Sequence, residues 1–378
     1  MDKPSHASRI EIAKAIRQLK AVATKDQHAR IAEILNEGQS APTDTAVEGL
    51  SQEDEFCMLC LLMGTATHIA PLDQRFSIAT GSVAPDLLAR FQPPFSDYAG
   101  FAIPASSHSG FRCFVEVKST VKKEFKIGGK ALQRLRAFAD AFGLPLVFAV
   151  RFLVLTGAAL WAIVEDTERT RASVTITFNS VVTGLRPMIW LERAYFLVPG
   201  TYSEARFDSA TTEEGVRDPA RGVLIGMRIV TPKMTYVVPG ESLVETIAFL
   251  EAYAPTEIGF ETRGTETRVK YEYGNKMAMV ADLIFVLNRL ARDDDGNIAH
   301  DPARALRQMA EGQEPLLLGR PVVQAVGERL CRARVVLPMG LGDVARNYDY
   351  WLRTGGTAPP GYAGPEAGKP GGQPAPPP

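Results

Sequence analysis

The chain has 378 residues and a formal net charge of −1, with 46% hydrophobic and 22% charged residues. That is enough chain for two domains with a core each, and too balanced a charge for a protein that coats nucleic acid by bulk attraction. No apolar run reaches the roughly 18 residues a membrane span requires, the N-terminus lacks a signal-like apolar segment, and four scattered cysteines do not make a disulfide framework, so a cytoplasmic location is expected.

Residues 1–48 read as a helical segment followed by a polar linker. Ile10, Ile12, Ala15, Ile16 and Leu19 recur at helical spacing, and Gly38 to Gly49 is polar. Ser51, with Asp54 three residues on, is an expected N-cap for a helix over 52–63 that stops at Gly64. Residues 76–95 hold Gly81, Pro85, Pro93 and Pro94 and read at least partly as loop. Strands are expected at Tyr98 to Ile103 and Phe111 to Val117, joined by the loop Pro104 to Gly110. A helix over 130–142, ended by Gly143, comes next, then strands over 146–152 and 158–164.

After Thr167 the pattern changes to short strands (173–178, 188–197, 223–230) and two helices (242–253, 276–292). The expected organisation is therefore an N-terminal segment (1–48), a first domain (49–167), a second α+β domain of unknown role (168–354) and a tail (355–378). That tail carries eight Pro and seven Gly in 24 residues, a composition that cannot build a packed core.

The chemistry-bearing residues fall in the first domain. In a hairpin centred near Ser107, Asp97 lies opposite the neighbourhood of Val117, and Glu116 and Lys118 share one face of their strand. Two carboxylates so close repel unless a cation joins them, and hard oxygen ligands suit Mg²⁺ or Mn²⁺. Such an ion activates water for phosphodiester hydrolysis, with a lysine neutralising charge. Between Gly110 and Arg136, eight cations stand against two anions, a local charge of +6. A patch of this kind can neutralise phosphates, and Lys122, Lys123, Lys126, Lys130 and Arg134 are the candidate nucleic-acid contacts.

Ser96-Asp97-Tyr98, a hairpin, and Phe114-Val115-Glu116-Val117-Lys118-Ser119 together resemble the motif of the PD-(D/E)xK nuclease superfamily, which includes restriction enzymes and archaeal Holliday-junction resolvases. The resemblance covers about 115 of the 378 residues. It implies an α/β, restriction-endonuclease-like core: a mixed sheet flanked by helices, in the order helix, three strands, helix, strand. It also implies Glu55 on the first helix as a further metal ligand and Gln133 on the later helix as a catalytic residue, beside Asp97, Glu116 and Lys118. The literal Pro-Asp pair is Pro85-Asp86. It is set aside in favour of Asp97 because it moves the hairpin midpoint to Phe101, inside an expected strand.

The function so implied is a Mg²⁺- or Mn²⁺-dependent DNA endonuclease of restriction, defence, junction-resolving or repair type, acting as a homodimer or with a partner protein. The alternatives are a non-catalytic scaffold that binds nucleic acid or protein, and an RNase. Cys57 and Cys60 form a lone CxxC in a helix and read as core cysteines. Asp293-Asp294-Asp295-Gly296-Asn297 lacks the ligand order of an EF-hand and reads as a solvated turn. Neither a Walker A nor a GxGxxG motif is present.

Overall fold

The structure is a computed structural model, and it describes residues 30, 41–72, 81–92, 110–154, 160–190, 192–212, 215–290, 301–313 and 317–340. These divide into two compact units, Met1–Leu191 with Asn288–Arg320, and Glu192–Leu287 with Pro321–Pro378. The first unit thus runs past the expected boundary at 167 and takes back a later segment. Residue 30 apart, the expected helices before residue 40, the strand Tyr98 to Ile103, the loop tip near Ser107, the turn Asp293 to Asn297 and the tail all lie outside the described residues. Among the described residues no helix is long and apolar enough to cross a membrane.

The first unit opens with α1 (Ala41–Leu62), then β1 (Ala66–Pro71), β2 (Leu87–Phe91), β3 (Phe111–Thr120) and β4 (Glu124–Gly128). It continues with α2 (Gly129–Phe142), β5 (Leu146–Phe152), β6 (Trp161–Glu165), β7 (Ser173–Thr177) and two single turns, α3 (Ser180–Thr183) and α4 (Arg186–Ile189). The first helix starts ten residues before the expected cap, and Ser51 lies inside it. Pro42, with its fixed φ and missing N–H, suits a first helical turn, and the polar residues behind it form the outer turns rather than a linker. Gly64 follows at φ 68°, a left-handed conformation that ends the run.

The main sheet has the order β1-β2-β3-β5-β6. Only the β3–β5 pair is parallel, and α2 makes the crossover between them. Every residue of β5 is buried, which is why Leu146 to Phe152 reads as a near-continuous apolar run rather than an alternating one. On α2, Leu132, Leu135 and Ala139 recur on the buried side, and Gly143 (φ 62°) closes the helix with its N–H toward Ala139 and Asp140 carbonyls. Phe138 and Phe142 meet Phe114 of β3 at ring separations of 5.2 and 5.7 Å, so this helix covers the Phe114 face of the sheet. The face bearing Trp161 is met by α1, where Phe56 lies 5.2 Å from the Trp161 ring. Cys57 and Cys60 are both buried there, as core cysteines are. β4 and β7 form a separate antiparallel ribbon.

The second unit holds β8 (Arg193–Leu197), β9 (Tyr202–Asp208), β10 (Arg217–Asp218), β11 (Gly222–Thr231), β12 (Met234–Val237) and α5 (Leu243–Glu251). After these come β13 (Pro255–Arg263), β14 (Glu266–Tyr273), β15 (Met277–Met279) and the start of α6 (Val280–Leu290). α7 (Pro302–Ala310) belongs to the first unit; most of α8 (Arg320–Arg332) and β16 (Val336–Gly340) belong to the second. One antiparallel sheet has the order β10-β11-β9-β14-β13, with β12 on β11, and a smaller one has the order β15-β8-β16. The expected strand over 188–197 is shorter than its apolar run suggested, because Pro187 opens a helical turn at its start.

Candidate active site

The strand that faces Glu116 is β2, not the expected 98–103 segment. Its register pairs Leu87 with Val115 and Phe91 with Phe111, so the next position before Leu87, Asp86, falls opposite Glu116 on the same face. The midpoint of this pairing is residue 101, as Asp86 requires. The error in the sequence reading was to assume a short hairpin loop, whereas Gln92 to Gly110 make a long connection. Asp97 lies within that connection, outside the described residues.

Asp86 and Glu116 are 4% and 7% exposed. The Val117 N–H donates to Asp86 Oδ2 at 2.7 Å, which fixes that carboxylate against β3. Lys118 Nζ lies 2.6 Å from Glu116 Oε1 and 3.5 Å from Asp86 Oδ2, and donates to the Val117 carbonyl at 2.9 Å. The trio of two acids and one lysine is therefore present, with Asp86 in the position assigned to Asp97.

The electrostatics of the trio are unbalanced. Burial, and then the charge of Asp86, push the Glu116 carboxyl up to about 7, with Lys118 pulling in the other direction. Burial works against the Lys118 ammonium, but Asp86 and Glu116 outweigh it, with Glu53 adding to them, and hold it above the usual lysine range. Glu116 Oε2 is buried with no hydrogen-bond partner among the described residues. A buried carboxylate oxygen left bare beside a second carboxylate is a costly arrangement that a bound cation relieves. Oxygen ligands of this kind suit Mg²⁺ or Mn²⁺, so the residues fit the expected metal. Among the described residues no group of three or more His, Cys, Asp or Glu side chains that could hold a metal ion assembles.

Glu55 is not part of it. Its Oε1 lies 2.7 Å from Arg151 Nε and accepts from Trp161 Nε1 at 3.0 Å. Arg151 pairs in register with Ser119 and Trp161, on the opposite face from Glu116 and Lys118. Burial raises the Glu55 carboxyl, while Arg151, Trp161 and Arg289 lower it. The helix glutamate that acts on Lys118 is Glu53, a half-exposed residue two positions earlier. The sequence signal for Asp86 is the literal Pro85-Asp86 pair, which the reading of the sequence weighed and set aside in favour of Asp97.

Gln133 sits on α2 with an exposed side chain that makes no hydrogen bond among the described residues. Lys122, Lys123, Lys126, Lys130 and Arg134 are exposed and form no ion pair among the described residues. Arg136, counted with the basic patch, is committed to the fold instead. Its Nε and Nη2 each donate to Asp166 at 2.7 Å, and Nη1 donates to the Arg169 and Arg171 carbonyls. At the other end of β2 and β3, Arg90 faces Arg112, and His68 of β1 faces Arg90. All three are exposed.

No protein-family profile matches the chain, and no curated protein matches it. Among solved structures, it is similar to Hjc, a Holliday junction resolvase from Archaeoglobus fulgidus, at 16% identity, over 36% of this chain and 90% of that one, with a TM-score of 0.25.

Proposed function

We propose that the first unit is a metal-dependent nuclease acting on DNA, with Asp86 and Glu116 as the metal-binding carboxylates and Lys118 as the catalytic cation. The observation that carries this reading is the bare, buried Glu116 Oε2, set across β2–β3 from Asp86 and beside Lys118. The element order α1, β1, β2, β3, α2, β5, with β4 inserted, agrees with the order that the sequence resemblance implies.

When bound, a divalent ion supplies a water of lowered pKa and offsets the charge that develops on phosphate. The chain's own residues do the rest. Asp86 is oriented by the Val117 N–H, so its second oxygen is held rather than free to swing. Lys118, half exposed and within ion-pair distance of both carboxylates, can hold a phosphate oxygen or the attacking water. Glu53 reinforces that charge from α1. The unpaired lysines of 122–130 and the Arg90–Arg112 pair supply backbone contacts on which no base identity is read.

The test is cleavage of supercoiled plasmid, and separately of a single-stranded RNA, with Mg²⁺ or Mn²⁺ and with EDTA. Metal-dependent plasmid nicking that Asp86→Ala and Lys118→Ala abolish and Asp97→Ala preserves is the expected result. Nicking lost in Asp97→Ala but retained in Asp86→Ala refutes the assignment. Cleavage confined to RNA makes the protein an RNase. Absence of cleavage with metal-dependent DNA binding retained supports the scaffold reading instead.

A further inference from the structure

The turn that joins β3 to β4 carries an apolar tip. Val121 is 73% exposed, the most exposed of the large apolar side chains among the described residues, and Lys122 and Lys123 beside it are exposed as well. The tip is held from both sides. The Thr120 carbonyl accepts from the Leu153 N–H at 2.8 Å, and the Lys123 carbonyl accepts from the Phe178 N–H at 2.9 Å. Within the turn, the Lys122 N–H donates to Thr120 Oγ1 at 3.1 Å, a local bond that fixes its course.

A lone valine on a surface needs no explanation. Three features set this one apart. Its backbone is anchored and its branched side chain is stiff at χ1, so the tip is a preformed point rather than a swinging one. Its setting is cationic, with five lysines and one glutamate from Lys118 to Lys130. Its place is on the strand of the proposed site, since Val121 follows Lys118 by three residues, which extended chain spans in at most about 11 Å. DNA rises ~3.4 Å per base step, so a duplex with a phosphate at Lys118 passes within about three steps of the tip.

We propose that Val121 is a wedge that enters the base stack of a DNA duplex held at Asp86, Glu116 and Lys118, with Lys122 and Lys123 on the phosphates beside it. The inference rests on the nuclease reading and adds a substrate class to it, a duplex whose stacking is already interrupted by a bulged nucleotide. Parting two stacked base pairs costs free energy, and costs least where a bulge has parted them, so a wedge turns that difference into selectivity. An apolar point among lysines also suits an anionic lipid surface. The duplex is favoured because Lys118 and the tip share one strand, so that a polymer bound at one passes the other, whereas a lipid surface accounts for neither buried carboxylate.

The test uses the full chain in a Glu116→Gln background, which keeps the DNA uncut, with 2-aminopurine at successive positions of a short duplex. The expected result is a severalfold rise in fluorescence at one or two adjacent positions on saturation, kept in Val121→Leu and lost in Val121→Ser. A bulged duplex should bind about tenfold tighter than the fully paired one, and Val121→Ser should remove that preference. Circular dichroism checks the fold of each variant. DNA bound with no rise, or with a rise that Val121→Ser preserves, overturns the wedge and leaves the nuclease reading standing. No binding of either duplex removes both. Sedimentation with phosphatidylserine vesicles, in place of duplex binding and lost in Val121→Ser, makes the tip a lipid contact and likewise overturns the inference.

Discussion

Two glutamates, Glu55 and Glu116, are both nearly buried in the first unit, and burial raises the pKa of both. Their surroundings differ. Glu55 is answered by Arg151 and Trp161, so its charge has partners supplied by the fold. Glu116 shares one lysine with a second carboxylate and keeps one oxygen bare. Both charges thus have a cationic partner, and the difference between them is the one oxygen of Glu116 that the described residues leave without a hydrogen bond.

The comparison breaks if the two glutamates fail in the same way. The largest expected effect is on cleavage. Glu116→Gln or Asp86→Ala should lower the rate by roughly 10³-fold or more, on the order of 4 kcal/mol of transition-state stabilisation, with little loss of folding stability. Next in size, Glu55→Ala or Arg151→Ala should cost ~3–5 kcal/mol of stability, because each strands a buried partner charge. Urea unfolding beside single-turnover kinetics separates the two. Stability loss in Glu116→Gln as large as in Glu55→Ala would erase the distinction.

That distinction was only half legible in the sequence. Glu116 and Lys118 could be placed together because alternation along a strand is local and fixed. β5 was legible because its burial on both faces writes an unbroken apolar run. Asp86 was weighed but set aside because pairing across a sheet depends on the length of chain between the strands, and nothing local told a short hairpin from a pairing of β2 with β3. Glu55 was misplaced because residues two apart on a helix point to different sides, so Glu53 and Glu55 serve different partners, Lys118 and Arg151. The start of α1 was obscured because its first turns, Ala41 to Gly49, are polar and carry no helical apolar period.

A smaller effect sharpens the comparison through pH. The Glu116 carboxyl is raised from 4.5 to about 7 in the folded, metal-free protein. Between those values the folded state holds a proton that the unfolded state has released, so stability is fullest below about pH 4.5 and falls as pH rises toward 7. The loss should be on the order of 1–3 kcal/mol. Mg²⁺ should offset it at pH 7, and Glu116→Gln should flatten it. A wild-type slope that persists in Glu116→Gln would assign the titration to another group.

The smallest expected effect on stability concerns the cations of the same segment, where the contrast recurs with opposite sign. Arg136 is satisfied by Asp166 and carbonyl groups, whereas Lys122, Lys123, Lys126 and Lys130 have no ion pair among the described residues. Replacing these four lysines by alanine should change folding stability by less than about 0.5 kcal/mol each. It should nevertheless lower the slope of log affinity for duplex DNA against log salt by roughly 0.9 for every lysine that contacts phosphate. Fluorescence anisotropy of a labelled duplex, titrated at several salt concentrations, reads that slope. The weakening should be uniform across DNA sequences, since phosphate contacts carry no base information. An unchanged slope would mean that the lysines are a solvated face, and that any nucleic acid held near Lys118 lies along the Arg90–Arg112 end of the sheet.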